Sequence, residues 1–182
     1  VSSLKKRNCD IKVIMRKNSM QFVSELTYKT LSQNEVITDM FNYEGWMPPH
    51  IAAAKKADLI IILPATANII AKLNAGIADD MLSTTLLAAT CPVLICPSMN
   101  VNMYESASVC RNIKSLKERG YTFVEPQSGF LACGDSGKGR LPDTDIIISH
   151  IERQFIEQDY KGKTVMVTAG ATIEDIDGIR FI

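Results

Sequence analysis

The sequence predicts an α/β protein built on a doubly wound parallel sheet. Short runs of β-branched residues alternate with longer segments of helical periodicity, which is the pattern of strands joined by crossover helices. The run Leu59–Leu63 is wholly apolar, as expected for a central strand buried on both faces. Three segments rich in small and polar residues each follow a strand-like run. They should lie at the carboxyl edge of the sheet, where open α/β sheets bind their ligands.

The individual elements follow from apolar periodicity and from turn residues. Val1–Asn8 is predicted to be the tail of a helix that ends just before the first strand. The predicted strands are Ile11–Met15, Leu59–Leu63, Val93–Ile95, Tyr121–Val124 and Thr164–Thr168. The predicted helices are Ser19–Leu31, His50–Lys56, Asn68–Ala75, Met81–Ala89, Ala107–Arg119 and Asp143–Gln158. Gly120 is predicted to terminate the helix that precedes it.

Both ends of the chain are unlike those of a complete doubly wound domain. A strand and a glycine-rich turn normally precede a helix such as Val1–Asn8, so the sheet is expected without its first strand and that turn. Residues 161–182 begin a fresh strand-and-turn unit that is too short to bury a core of its own. Residues 1–160 are therefore assigned to one domain, and residues 161–182 to the incomplete start of a second domain or a linker.

Composition excludes several classes of function. Twenty basic and twenty acidic residues cancel, so no net charge attracts nucleic acid or an anionic membrane. The longest aliphatic run is too short to cross a bilayer, and the amino terminus has no signal-peptide pattern. The five cysteines are odd in number and lack metal-type spacing, which indicates reduced thiols and no metal site. We expect a cytoplasmic protein that binds neither nucleic acid nor membrane.

The segment Pro64–Asn68 closes the apolar strand and opens a helix. Its small residues let a planar ligand approach the backbone, and Thr66 and Asn68 offer polar side chains. The start of the helix presents free amides to an anion. The alternative is an ordinary strand-to-helix turn in which Asn68 is the N-cap.

The segment Pro97–Asn100 repeats this arrangement after the next strand. The amide of Asn100 can orient a carboxylate without neutralising its charge, which suits an acid that later loses carbon dioxide. The alternative role for Asn100 is a helix cap. Met99 and Met103 would line an adjoining apolar wall, although packing in the core explains them equally well.

Two further candidates carry groups that exchange protons. Gly129–Arg140 contains four glycines around Cys133, which predicts a mobile loop over the site. The thiol of Cys133 could act there as a proton donor or as a nucleophile. The alternative is an exposed turn with an incidental cysteine. His50 opens a helix just before the apolar strand, where a neutral imidazole could accept a thiol proton near neutral pH. His150 lies among isoleucines and is predicted to be structural.

Over about Ile11–Arg140, these segments resemble the flavin-dependent cysteine decarboxylases. His50–Asp58 resembles the family's histidine-bearing helix, and Pro64–Asn68 resembles its flavin-contacting Pro-Ala-Ser-Ala-Asn turn. Pro97–Tyr104 resembles the family segment Pro-x-Met-Asn-x-x-Met-Trp, with Tyr in place of Trp. Leu131–Gly134 resembles the substrate flap of the branch that serves coenzyme A synthesis. Residues 161–182 are similar to the start of the synthetase domain that is fused downstream in that branch.

The resemblance implies a Rossmann-like, flavodoxin-like fold, FMN as cofactor, and decarboxylation of 4′-phosphopantothenoylcysteine to 4′-phosphopantetheine. Thioaldehyde and enethiolate intermediates are implied, with His50 as acid–base group, Asn100 holding the carboxylate and Cys133 donating a proton. The implied flavin-binding residues are Phe22, Ala65, Thr66, Ala67, Asn68, Ile69, Ser98 and Met99. The implied substrate-binding residues are Asn100, Asn102, Met103, Ala132 and Cys133.

The family also implies a homotrimer, or a multiple of trimers, with sites between neighbouring subunits. Besides Tyr104, which replaces Trp, and Thr66, which replaces Ser, three further residues depart from the family pattern. Arg16 stands where a flavin-contacting Thr or Ser is usual, Ile69 replaces a Thr, and Asn102 replaces a small residue. Two other functions stay open, namely a non-catalytic flavin-fold binding or regulatory subunit and a flavin decarboxylase that acts on peptidyl cysteine. A fused phosphopantothenate–cysteine ligase would lie outside this chain.

Overall fold

The computed structural model describes residues 1–41, 43, 45–130, 134, 136–157, 159–160 and 162–169. The strands are β1 Val13–Ile14, β2 Val36–Ile37, β3 Ile60–Ala65, β4 Val93–Pro97, β5 Thr122–Phe123, β6 Gln127–Phe130 and β7 Ser136–Arg140. The α-helices are α1 Ser2–Lys5, α2 Glu25–Ser32, α3 Pro49–Lys56, α4 Ala67–Ala75, α5 Met81–Ala88, α6 Val101–Glu105, α7 Ala107–Glu118 and α8 Thr144–Arg153. A short 3₁₀ helix spans Ser19–Gln21.

Strand β4 lies between β3 and β5 in a three-stranded parallel sheet. All five residues of β4 are buried, whereas Leu63 of β3 is 45% exposed. The prediction that Leu59–Leu63 is the central strand, buried on both faces, is therefore wrong for the described sheet. An aliphatic run indicates that a strand is apolar, but it does not indicate where the strand lies in the sheet. Strand order depends on pairing between segments that are distant in the sequence. Strands β1 and β2 form a separate parallel pair, with Val13 opposite Val36.

Two apolar clusters cover the two faces of the three-stranded sheet. Because successive strand residues point to opposite faces, Ile95 belongs to one cluster and its neighbour Leu94 to the other. Helices α4, α5 and α7 supply the first cluster with Ile69, Ile70, Leu73, Leu86, Val109, Ile113 and Leu116. Helix α8 supplies the second cluster with Ile147 and Ile151. Helices on both sides of a parallel sheet confirm the doubly wound α/β architecture.

The predicted helices are found, with shifted ends. Gly120 follows α7 with a φ of 91°, which confirms it as the residue beyond the helix terminus. The predicted helix Ser19–Leu31 is divided, because α2 begins only after Ser24, whose side chain accepts a hydrogen bond from the amide of Thr27 at 3.3 Å. The last helix ends at Arg153 rather than at residue 158.

The segment expected to be a glycine-rich loop contains two strands. β6 and β7 pair in an antiparallel hairpin, with Gly129 opposite Gly137. Residues 131–133 and 135 of the connection lie outside the described residues. The predicted strand Thr164–Thr168 is wrong, because its residues have no strand partner in the described structure, and an isolated strand cannot form a ladder. No helix within the described ranges is long and apolar enough to cross a membrane.

Candidate active site

The carboxyl ends of β3 and β4 are joined side by side. Ala65 pairs with Pro97 in the parallel ladder, and the amide of Ser98 donates to the carbonyl oxygen of Ala65 at 3.0 Å. The two polar turns that the sequence singled out therefore meet at one edge of the sheet, as predicted.

The first of these turns leads directly into α4. Thr66 is the N-cap and makes no side-chain capping bond, while Asn68 is the second helical residue. The alternative in which Asn68 is the N-cap is thus wrong, because the helix begins one residue before it. Both side chains are exposed, and the first-turn amides are not bonded by a capping side chain. This end of α4 can accept an anion or a polar edge of a ligand.

Three of the other expected flavin-contacting residues differ from one another in how deeply their side chains are buried. Ile69 is 2% exposed and belongs to the first core cluster, so only its backbone can face a ligand at this edge. Phe22 is 88% exposed, just beyond the 3₁₀ helix. Met99 is half-buried against the first core cluster, at the boundary between core and site. Its thioether side chain can adapt to a neighbouring planar group.

Asn100 is the N-cap of α6. Its Oδ1 accepts a hydrogen bond from the amide of Asn102 at 2.8 Å, so the capping role is observed. The same bond fixes the orientation of the side chain beside Ser98 and Met99. Asn102 and Met103 are exposed on the short helix that follows, and Met103 is 48% exposed.

The hairpin of β6 and β7 lies directly on this second turn. The amide of Met99 donates to the carbonyl oxygen of Gly139 at 3.1 Å. A Cβ atom built on Gly137 would lie 2.9 Å from Cγ2 of Val101, so only glycine allows this close approach. The expected substrate and catalytic residues Ala132 and Cys133 lie outside the described residues, in the connection between the two strands.

His50 lies in the first turn of α3, directly after Pro49. Its Nδ1 is fully buried and has no hydrogen-bond partner among the described residues. A buried polar nitrogen without a partner is costly and distinguishes His50 from an ordinary core histidine, and its acid–base role stays a prediction. His150 lies in α8, in the helix that forms the second core cluster.

Arg16 and Asp80 form an ion pair that the sequence did not predict. Nε of Arg16 donates to Oδ2 of Asp80 at 2.9 Å. Oδ1 of Asp80 also accepts the amide of Ser83 at 2.8 Å and caps α5. Arg16, the departure from the family pattern, thus connects the end of β1 to the start of α5. The Asp-x-x-Ser spacing of a capping box was the available signal.

Glu125 is a second residue that the sequence analysis missed. It follows β5, and its carboxylate accepts hydrogen bonds from Tyr104 at 2.8 Å, Lys117 at 2.7 Å and Lys138 at 2.9 Å. Partial burial opposes ionisation, but the bonds from Lys117, Lys138 and Tyr104 outweigh it and lower the pKa of Glu125 to about 2. Burial and the same carboxylate raise the pKa of Tyr104. A lone Glu after a strand carries no sequence signal for such a cluster.

Comparison with known proteins agrees with this fold. The Flavoprotein family model matches residues 1–156, so the chain belongs to the Flavoprotein family. The coenzyme A biosynthesis bifunctional protein CoaBC of Bacillus subtilis is 51% identical over 184 residues, covering 99% of this chain and 45% of that protein. A cysteine/cysteine sulfinic acid decarboxylase from an unknown prokaryotic organism is 41% identical over 166 residues, covering 88% and 46%. The chain spans about half the length of these curated relatives.

Solved structures carry the same architecture. A cysteine-to-serine mutant of PPC decarboxylase complexed with pantothenoylaminoethenethiol superimposes with a TM-score of 0.75 at 26% identity, covering 85% of this chain and 87% of that one. The FMN-dependent cysteine decarboxylase SpaF superimposes with a TM-score of 0.69 at 33% identity, covering 80% of each chain. These likenesses confirm the Rossmann-like, flavodoxin-like fold expected from the sequence.

Proposed function

We propose that this chain performs the FMN-dependent decarboxylation of 4′-phosphopantothenoylcysteine to 4′-phosphopantetheine in coenzyme A biosynthesis. The observation that carries the proposal is the bond from Ser98 to Ala65, which unites the expected flavin turn with the segment that ends in Asn100. The hairpin that leads to the expected thiol lies on the same segment through Met99 and Gly139. Relatives named as CoaBC and as PPC decarboxylase support the substrate.

The residues at the sheet edge fit FMN. The buried Ala65 and the half-buried Ala67 leave room for a planar ring, and Thr66 and Asn68 present exposed polar side chains beside it. Met99 supplies an apolar wall. Held at this edge by Thr66, Asn68 and Met99, FMN would supply a reversible two-electron acceptor, so that the reaction has no net redox change.

Each step of the proposed reaction uses a residue of this chain. His50, whose buried Nδ1 has no partner in the described structure, takes the proton of the substrate thiol. The carbon that bears the sulfur is oxidised at the same time, which gives a thioaldehyde. The thioaldehyde accepts the electron pair that carbon dioxide leaves behind, and an enethiolate forms. Asn100 holds the departing carboxylate through its uncharged amide. Cys133 then gives a proton to the enethiolate carbon as 4′-phosphopantetheine forms.

We propose that the chain assembles as a homotrimer or a multiple of trimers, with sites completed between subunits. Large apolar side chains are strongly exposed before α3, with Phe22 at 88%, Phe41 at 83% and Trp46 at 87%. Exposed apolar surface of this kind marks interaction sites in soluble proteins.

The free thiols of Cys9, Cys91, Cys96 and Cys110 support a reducing, cytoplasmic location.

The domain boundary after residue 160 is also a proposal. The Flavoprotein match ends at residue 156, and the curated relatives are about twice as long as this chain. Residues 161–182 would then begin the synthetase half of a bifunctional enzyme.

Two alternative functions have specific support. SpaF, named as an FMN-dependent cysteine decarboxylase, at 33% identity, favours a related decarboxylase with another cysteine substrate, such as the peptidyl cysteine of the first alternative. A structure named as the FMN binding protein AtHal3, at a TM-score of 0.70 and 26% identity, is compatible with a second alternative, a flavin-binding subunit. The identity of the substrate distinguishes the first alternative from the proposed function. Release of carbon dioxide distinguishes the proposed function from the second alternative.

An anaerobic absorbance titration tests the proposal. The purified protein is loaded with FMN and mixed with phosphopantothenoylcysteine, while the flavin band and carbon dioxide release are followed together. We expect the band to bleach or shift and carbon dioxide to appear. A protein that binds FMN but releases no carbon dioxide would support the binding subunit. Turnover of a peptide ending in cysteine, without turnover of phosphopantothenoylcysteine, would support the peptidyl decarboxylase.

A further inference from the structure

The cluster around Glu125 joins four elements of the candidate site. Tyr104 lies on α6, Lys117 on α7 and Lys138 on β7, while Glu125 itself follows β5. Oε2 of Glu125 accepts from both Tyr104 and Lys138, and Oε1 accepts from Lys117. The ammonium of Lys138 also lies 5.5 Å from the ring centre of Tyr104, within range of a cation–π contact.

Lys138 occupies a particular position on the hairpin. It lies between Gly137, which packs on Val101 at the start of α6, and Gly139, whose carbonyl accepts the amide of Met99. Backbone contacts therefore hold one side of β7 to the segment containing Asn100. The side chain of Lys138 adds an attachment through Glu125, which in turn accepts from Tyr104 of α6.

We infer that Glu125 is a positioning residue that locks β7 and α6 together through Lys138 and Tyr104, and so fixes the substrate-facing segment from Asn100 to Met103. The inference rests on the proposed function for its catalytic consequence. The lock itself is a property of the described contacts and can be measured without substrate. Within the described structure Glu125 makes no hydrogen bond or ion pair with the expected flavin turn Pro64–Asn68, so its loss should leave FMN binding unchanged.

Charge and exposure define how strong the lock should be. The side chains of Glu125 and Lys138 are 47% and 44% exposed, so salt screens this single pair and its contribution is modest. The carboxylate has three donors, however, and stays ionised throughout the neutral range. The lock should therefore weaken with added salt but not with pH between about 5.5 and 8.

Lys117 offers a matched control. Its ammonium bonds the same carboxylate at 2.7 Å and is similarly exposed at 48%, but it lies on α7 rather than on the hairpin. Lys117→Met and Lys138→Met each remove one ammonium from Glu125, and only the second releases β7. Tyr104→Phe removes the hydroxyl that links the carboxylate to α6 while keeping the ring.

Hydrogen exchange of FMN-loaded protein tests the lock directly, with mass detection of peptides covering residues 99–105 and 136–140. We expect Lys138→Met and Tyr104→Phe to speed exchange in these peptides about threefold or more, with Lys138→Arg restoring the wild-type rate and Lys117→Met leaving it unchanged. Equal effects of Lys117→Met and Lys138→Met would overturn the inference.

Steady-state kinetics on the same variants tests the consequence. We expect Lys138→Met to raise KM for phosphopantothenoylcysteine about threefold to fivefold with little change in kcat, while the FMN dissociation constant and the kinetics of Lys117→Met stay at wild-type values. An unchanged KM for Lys138→Met would overturn the positioning role. Absence of carbon dioxide release from the wild type would refute the proposed function instead, and hydrogen exchange would still decide the lock.

Discussion

The guanidinium of Arg16 donates from Nε to Oδ2 of Asp80 at 2.9 Å, and this bond joins the end of β1 to the first turn of α5. Asp80 is thereby shared between two ion pairs and a helix cap, since Nζ of Lys72 lies 3.5 Å from Oδ2 and Oδ1 accepts from the amide of Ser83. Both side chains are only 27% exposed, so the pair is screened less than a surface salt bridge. One carboxylate thus holds two elements whose sequence positions are 64 residues apart.

Asp80→Ala should destabilise the protein by about 2 kcal/mol. Loss of an N-cap costs about 0.5–2 kcal/mol, and the change also leaves the half-buried Arg16 without its carboxylate. Urea unfolding measures the effect. The neighbouring Asp79→Ala is the control, because the side chain of Asp79 is 57% exposed and should contribute under about 1 kcal/mol. Equal destabilisation by the two changes would argue against the shared role of Asp80.

The stability contributed by Glu125 should depend on pH in the acidic range only. Folding lowers the pKa of this carboxyl from 4.5 to about 2, so the unfolded chain binds a proton at a higher pH than the folded one. The contribution is therefore complete above about pH 5.5 and is lost as the pH falls towards 2. The difference in unfolding free energy between wild type and Glu125→Gln should be constant from pH 7 to about 5.5 and shrink below it. A difference that grows with acidity would contradict the assignment.

Gly137→Ala should destabilise the contact between the hairpin and α6 by about 1–3 kcal/mol, as overpacking does elsewhere. The new methyl group would lie 2.9 Å from Cγ2 of Val101, whose branched side chain is stiff. Gly129→Ala is the control, since its nearest neighbour is the flexible Cδ of Arg140 at 3.4 Å. Thermal unfolding measures both. Combining Gly137→Ala with Val101→Ala should recover part of the loss, and strict additivity would rule out a direct clash.

His50→Asn should slow reduction of the flavin by substrate about 10²- to 10⁴-fold, the usual range for loss of a general base. FMN binding should persist, because His50 lies on α3 rather than on the flavin turn. Rapid mixing without oxygen, followed by flavin absorbance, measures the rate. His150→Asn serves as the control and should reduce flavin normally. Unchanged reduction in His50→Asn would assign that residue a structural role.

Cys133→Ser should still release carbon dioxide but should accumulate the oxidised enethiol together with reduced flavin. The serine hydroxyl is a far weaker acid than the thiol, so the last proton transfer stalls after carbon dioxide has left. Product analysis by mass spectrometry, with flavin absorbance recorded in parallel, measures the outcome. Cys110→Ser, which changes an exposed thiol on α7, should turn over normally. Normal formation of 4′-phosphopantetheine by Cys133→Ser would remove Cys133 from the mechanism.

Local patterns accounted for the helices and for the meeting of the two polar turns. Periodicity placed α4, α5 and α7 within one or two residues, because amphipathic spacing records which side of each helix faces the core. The positions of the two turns directly after predicted strands indicated that they share one sheet edge, because the carboxyl ends of parallel strands lie at the same edge. The resemblance to a flavin-dependent family also came from short contiguous motifs.

Residue patterns alone predicted the α/β class, the positions of the main helices and the edge at which Pro64–Asn68 and Pro97–Asn100 meet. The three-dimensional contacts were needed to show that β4 is the central strand, that Gly129–Arg140 begins and ends as a hairpin, and that Glu125 joins Tyr104 and Lys138. Strand order, antiparallel pairing and charge clusters depend on segments distant along the chain. The free energy of such a contact depends on both residues that form it, and these are far apart in the sequence. A pattern within one short segment therefore cannot predict it.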